Sequence, residues 1–281
     1  MRRIKLTIEF DGTLFAGLQI QEQGERTVQG ELEAALAQIP GAKAKIYACG
    51  RTDAGVHALA MPVHYDSQDS IPSDKIPFAL NSLLPSDIRA LAAEEVDPWF
   101  HARKSCAWRE YRYRILQRTM PPALERTRVW WIPQSLNLVP MRHALEYFLG
   151  THDFAAFAVR EGSGNAAGAM PRLEGSGNAA EPRARLEEPS TVREIYKVHL
   201  EVRPAEGNGR EIWLEFVGSG FVRGQVRSMV GTLVEVGLGK RDSNNIQALL
   251  EGGRRSEAGK TAPPQGLYFL RAGYAPYPRS D

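Results

Sequence analysis

The succession of two kinds of hydrophobic spacing constrains this chain more than any other feature of its sequence. Ile4, Leu6, Ile8 and Phe10 alternate with Lys5, Thr7 and Glu9, the period-two pattern of a strand with one buried face. The period then lengthens: Val28, Leu32, Ala35, Leu36 and Ile39 recur at helical intervals up to Pro40-Gly41, with Thr27 placed to cap the first turn. Ala44, Ile46 and Ala48 restore the alternation. Val63 and Tyr65 belong to a returning strand in which Pro62 argues for an edge or an irregular start. Ser73 is expected to cap a second helix carrying Ile76, Leu80 and Leu83, closed by Pro85.

The same succession recurs further on. Tyr111, Tyr113 and Ile115 share one face of a strand and Arg112 and Arg114 the other. Leu138, Met141, Leu145 and Phe148 mark a helix ending at Gly150, and in the segment after it Asp153 reads as helix-start chemistry. Tyr196, Val198, Leu200 and Val202 alternate, and Ile212, Leu214 and Phe216 form the hairpin mate across Gly207-Asn208-Gly209. Val222, Val226, Met229, Val230 and Leu233 share a helical face; Ser243 starts a last helix with Ile246, Leu249 and Leu250; Leu267 to Leu270 close with a strand. Strand, helix, strand, helix, strand, read twice, predicts an α/β (α+β) chain. Its mostly antiparallel mixed sheet would form two ferredoxin-like halves, residues 1–100 and 101–281, joined near residues 98–104.

With 43% hydrophobic and 24% charged residues among 281, the chain has an ordinary globular balance. No apolar run reaches spanning length, and Met1-Arg2-Arg3-Ile4-Lys5 enters a strand pattern instead of a signal core, so a cytoplasmic protein is expected. Cys49 and Cys106 suggest no disulfide framework, and Cys49 with His57 and His64 matches no common metal-ligand spacing, so no metal is expected. From Trp99 to Trp131 eight basic residues face two acidic ones, with Trp108, Tyr111, Tyr113 and Trp130 interleaved. That mixture suits a folded RNA with exposed loops, and equally a cationic strand with a half-buried aromatic face. The seven letters from Glu161 to Ala167 recur from Glu174 to Ala180 in a Gly, Ala, Glu and Pro-rich tract, so residues 161–190 read as a disordered insertion.

One loop concentrates the chemistry. In Cys49-Gly50-Arg51-Thr52-Asp53-Ala54-Gly55-Val56-His57-Ala58 a carboxylate and a guanidinium lie between two glycines that free the backbone. Asp53 can serve as a turn residue, or as a nucleophile or base toward something bound there. The string from Gly50 to His57 resembles the active-site loop of the tRNA pseudouridine synthase A family. Further segments are similar to that family at matching spacing: Phe10 to Gln21, Asn81 to Ile88, Phe100 to Arg103, Arg109 to Ile115, Gly220 to Gly231 and Ala262 to Leu267. Leu18 stands where the family usually has Trp.

The resemblance implies a pseudouridine synthase fold with a central RNA-binding cleft, and isomerisation of uridine to pseudouridine in the anticodon stem-loop of tRNA, without cofactor, by a homodimer. It casts Asp53 as the catalytic nucleophile, Arg51 as the residue that organises the site, Arg227 as the ion-pair partner of Asp53, and Tyr111 as the ring that stacks on the target base. Whether Asp53 attacks C1′ or removes a proton from C2′ is open at this level. The rival from another class is a ferredoxin-like RNA-binding module without chemistry, using Tyr111 and Tyr113 as a stacking platform; it lacks the glycine and aromatic pattern of such modules. A phosphoryl-transfer enzyme would need a Gly-rich phosphate loop with Lys, and none is present.

Overall fold

Ten strands join in one sheet in the computed structural model, which describes residues 1–21, 24–159 and 190–278. The expected insertion at 161–190 lies, apart from Ser190, outside the described residues. The first half runs β1 (Arg2–Phe10), α1 (Val28–Leu36), β2 (Tyr47–Ala48), β3 (His57–Ser67), α2 (Ile76–Asn81) and β4 (Ile88–Val96). The second runs β5 (Trp108–Gln117), β6 (Trp130–Ile132), α3 (Leu138–Glu146), β7 (Gly150–Asp153), β8 (Val192–Ala205), β9 (Gly209–Gly218), α4 (Gln225–Gly237), α5 (Asn245–Leu250) and β10 (Leu267–Gly273).

The strands lie in the order β4-β1-β3-β10-β5-β9-β8-β7, with β2 on β3 and β6 on β5. Among the described residues only β3–β10 and β5–β6 are parallel, so the sheet is mixed and mostly antiparallel. Each half repeats one pattern: β4-β1-β3-β2 in the first and β10-β5-β9-β8 in the second place the fourth strand beside the first and the third beside the second. The last strand, β10, fills the seam, parallel to His57 and Ala58 of β3 on one side and antiparallel to β5 on the other.

Local chemistry explains most of these elements. Ile4, Leu6, Ile8 and Phe10 are all buried and share one core cluster with Val28, Leu32 and Leu36 of α1. Thr27 accepts a hydrogen bond from the amide of Gly30 at 3.2 Å, the expected cap. Gly207 and Asn208, in the three-residue loop between Ala205 and Gly209, have φ of 73° and 54°, left-handed conformations that Gly and Asn adopt most readily. Asp153 Oδ1 accepts from the amide of Ala155 at 2.9 Å, starting a short 3₁₀ turn.

Two expectations are corrected. Pro62 lies inside β3, an interior strand. Its carbonyl accepts from the amide of Cys49 at 2.8 Å, and because the N–H and C=O of one strand residue point to the same side, its missing donor also faces Cys49 and not the β1 ladder. Ser73 does not cap a helix by its side chain. It opens a 3₁₀ turn, and the helix begins at Ile76, with Pro77 in its first turn. Leu83 is correspondingly exposed, and Leu84 takes the buried position. Among the described residues no helix is long and apolar enough to cross a membrane.

Candidate active site

Two loops zipped together by backbone hydrogen bonds position Asp53. The amide of Leu18 donates to the carbonyl of Thr52 at 3.1 Å, that of Gly55 to Phe15 at 3.3 Å, and Gly17 and Asp53 form an antiparallel bridge. The amide of Val56 returns to the carbonyl of Asp53 at 3.2 Å, closing a turn in which Gly55 has φ of 76°; a side chain there would be strained. Just downstream, His57 Nδ1 accepts from the amide of Gly12 at 3.0 Å, so its proton sits on Nε2, which donates to the carbonyl of Thr127 at 3.0 Å. Burial holds the pKa of His57 below its ordinary value, against the pull of nearby Asp11.

Helix α4 brings the counter-charge. Arg227 Nη1 donates to Asp53 Oδ2 at 2.8 Å, while its Nε donates to the carbonyl of Ala262 at 2.8 Å. The amide of Ala262 donates back to the carbonyl of Arg227 at 3.0 Å. The guanidinium is thus fixed from both ends before it meets the carboxylate. Asp53 keeps 30% of its side chain exposed against 18% for Arg227, so the carboxylate remains open to a ligand. Arg223 Nε stands 3.9 Å from Asp53 Oδ1.

Around this pair lies a cleft of about 1400 Å³, larger than the few hundred cubic ångströms typical of small-molecule pockets. Among the described residues, Arg51, Arg103, Arg109, Arg193, Arg223 and Arg227 line it, against only Asp53 and Glu25. An arginine-lined groove of that size fits an extended polyanion.

A sequence model described as tRNA pseudouridine synthase matches residues 6–103 and 169–275. The chain belongs to this family. It is 49% identical over 274 residues to the tRNA pseudouridine synthase A of Thermus thermophilus, covering 98% of this chain and 97% of that one. The protein of the same name from Exiguobacterium sp. is 41% identical, with 98% of each chain covered, and that from Anoxybacillus flavithermus is 42% identical, covering 98% and 99%.

The synthase cleft gathers all four residues singled out in the sequence: Arg51, Asp53, Tyr111 and Arg227 line it together. Arg51 is exposed and its side chain has no ion pair or hydrogen bond among the described residues. Tyr111, on β5, is 7% exposed, its ring edge-on to Phe221 at 5.0 Å and to Phe269 at 5.3 Å; burial raises the pKa of its hydroxyl. Tyr113 is absent from the cleft. It is fully buried and its hydroxyl donates to the carbonyl of Pro263 at 2.7 Å, so it offers no stacking surface.

Part of the basic segment also faces elsewhere. Arg112 donates twice to Glu215 Oε1, at 2.8 and 2.7 Å, and its guanidinium lies 3.9 Å from the Trp213 ring centre. Arg114 pairs with Glu211 and Glu125, each at 2.9 Å. These two arginines project from the sheet face opposite Tyr111 and are already neutralised. Leu18, where the family usually has Trp, is buried in the core cluster and also lines the cleft. Cys49 is buried as read, and its thiol lies 3.2 Å from that of Cys106. His57 and His64 are engaged by backbone, the latter accepting from the amide of Ala102 at 3.1 Å.

Sequence reasoning missed Arg109 and Arg193. Arg109 carried a signal, since it lies two residues before Tyr111 and a strand sets such residues on one face. Arg193 carried none, being one arginine in a strand of mixed charge.

Proposed function

We propose that this synthase isomerises uridine to pseudouridine in the anticodon stem-loop of tRNA, with Asp53 as the group that acts on the ribose. The observation that carries the reading is the Asp53–Arg227 pair at 2.8 Å in the middle of an arginine-lined cleft, in a chain of this family. The first half, residues 1–100, supplies Asp53 and Arg51, and the second, 101–281, supplies Arg227 and Tyr111. On the same reading the working enzyme is a homodimer, which light scattering of the purified protein tests.

The reaction breaks the bond between C1′ and uracil N1, turns the base, and joins C5 to C1′; the C5 proton leaves to solvent and N1 gains one. Asp53 acts either by attacking C1′ or by taking a proton from C2′, and both routes need the carboxylate ionised and fixed. Arg227 provides the fixing: its Nη1 donates to Oδ2, and its bond to Ala262 sets the direction from which it holds that oxygen. Tyr111, on the cleft wall, is the ring against which the uracil stacks, while Phe221 and Phe269 restrict the ring's own motion. The target base has to leave the helical stack to reach this depth, and Arg51, exposed on the catalytic loop, is placed to fill or brace the gap.

A binding module without chemistry is disfavoured by the burial of Tyr113, which leaves Tyr111 alone where a platform was expected. Release of tritium from tRNA labelled at uracil C5 tests the reading, since binding alone leaves C5 bonded to its hydrogen. Tight tRNA binding with no release would support the module instead.

A further inference from the structure

The cleft contains a second concentration of charge. Arg109 gives all its visible hydrogen bonds to main-chain carbonyls: Nη1 to Ser219 at 2.9 Å, Nη2 to Cys49 and to Arg103, each at 3.1 Å. Arg193 Nη1 likewise donates to the carbonyls of Ser190 and Val192, at 2.8 and 2.6 Å. The two guanidinium groups converge beside Gly220, where an added methyl would lie 3.5 Å from Arg193 Nε and 3.9 Å from Arg109 Nη1. Neither arginine has a carboxylate partner among the described residues. Arg227, on the same cleft, and Arg112 and Arg114, on the other face of the sheet, each have an acidic partner.

Two like charges brought together in partial burial oppose folding unless an anion joins them. The strain shows in Arg193, whose pKa is pushed down by burial first and by Arg109 second. Arg193 Nε and Nη2 have no protein acceptor among the described residues, so the group retains donors for a ligand. Gly220 places no side chain between the two arginines, and the point lies on the wall of the same cleft as Asp53.

We propose that Arg109 and Arg193 seat one phosphodiester of the RNA backbone, holding the strand that carries the target uridine. This rests on the reading of the cleft as the site of tRNA isomerisation. The two non-bridging oxygens of a phosphodiester match planar guanidinium donors, and phosphate contacts set register without reading sequence. A base drawn out of its stack needs its flanking backbone held, and this seat would supply that hold.

The test uses the full chain and a series of anticodon stem-loop RNAs, each with one phosphate near the target uridine replaced by an uncharged methylphosphonate. In the wild type, one position is expected to lower affinity about tenfold, as loss of a charged contact does. In Arg193→Gln that position should have no further effect, and the slope of log affinity against log salt should fall by about 0.7 to 0.9. Arg193→Lys should retain most of the slope. If no single replacement weakens the wild type more than about twofold, or if its effect adds in full to that of Arg193→Gln, the seat does not exist; the first of these arms requires no variant to fold. Inorganic phosphate that competes no better than sulfate supports a site for RNA backbone, whereas selective competition by phosphate alone points to a free-phosphate site and overturns the proposal. RNA binding without C5 tritium release would remove the isomerase reading and leave the seat to be judged by affinity and salt slope.

Discussion

Arg227 Nη1 and Asp53 Oδ2 stand 174 residues apart in sequence and 2.8 Å apart in space. The contact has a direction as well as a strength, because the other side of the guanidinium is tied to the carbonyl of Ala262. The carboxylate is therefore held by a group that is itself held, and the position of its oxygens is set by the fold before any ligand arrives.

Replacing that carboxylate by an amide of the same shape separates chemistry from binding. Asp53→Asn should abolish C5 tritium release while leaving tRNA affinity within about tenfold, or about 1.4 kcal/mol, because phosphate and stacking contacts elsewhere supply most of the binding. Asp53→Glu should fare nearly as badly: an added methylene displaces the carboxylate by about an ångström, an error that can cost about a hundredfold. Substantial turnover by Asp53→Asn would reduce Asp53 to a turn residue.

Arg227→Lys preserves the charge and removes the fork. A single ammonium cannot hold Ala262 and Asp53 from two sides, so single-turnover isomerisation should slow by about a hundredfold with little change in tRNA affinity. A variant that binds tRNA much more weakly but reacts at the wild-type rate once bound would recast Arg227 as a binding residue.

Charge-neutral substitution of Arg112 and Arg114 together should leave the salt slope of tRNA binding unaltered, since both are paired with carboxylates on the sheet face turned away from Tyr111. Their loss should appear in thermal stability, where Glu215 and Glu211 are left without their cations. A slope reduced by a unit or more would place that face against RNA.

Acid should weaken the fold through His64. Burial above all, with help from His101 and Arg3, brings its pKa down to about 4 from the ordinary 6.5. As pH falls through this interval the unfolded chain takes up the proton first, so stability is present in full above about 6.5 and declines toward 4, by at most about 3 kcal/mol. Urea unfolding across that window should show the decline in the wild type and a shallower one in His64→Gln, whose amide oxygen can still accept from Ala102. Parallel pH profiles for the two proteins would assign the effect to other groups.

Much of this architecture was legible because several long strands bury one face. Alternation in β1, β5 and β9 is a direct record of that burial, whereas of the alternating set in β8 only Leu200 is buried and Val202 is exposed; Tyr111, Asp53 and Arg227 stood in local motifs, and the fold brings them to one cleft. Three-residue β6 and four-residue β7 left no trace, since a period of two needs more residues than they have. Charge counting left Arg112 and Arg114 open between the two readings for another reason. It registers cations, whereas their fate was decided by Glu215 and Glu211, roughly a hundred residues away and visible only once β5 and β9 are paired. The meeting of Arg109 with Arg193 is likewise a product of tertiary approach.

The seam strand has a consequence for biosynthesis. A chain emerging from the ribosome can pair β1, β3 and β4 early, for their partners are close in sequence, but the edge of β3 at His57 stays unpaired until Leu267–Gly273 has been made. Ala262, which anchors Arg227, arrives in the same late segment. Until that segment has been made, the nascent chain therefore carries the Asp53 loop without the strand that unites the halves or the carbonyl that aims the arginine, and the two arrive together in one docking step whose long loop closure sets its pace.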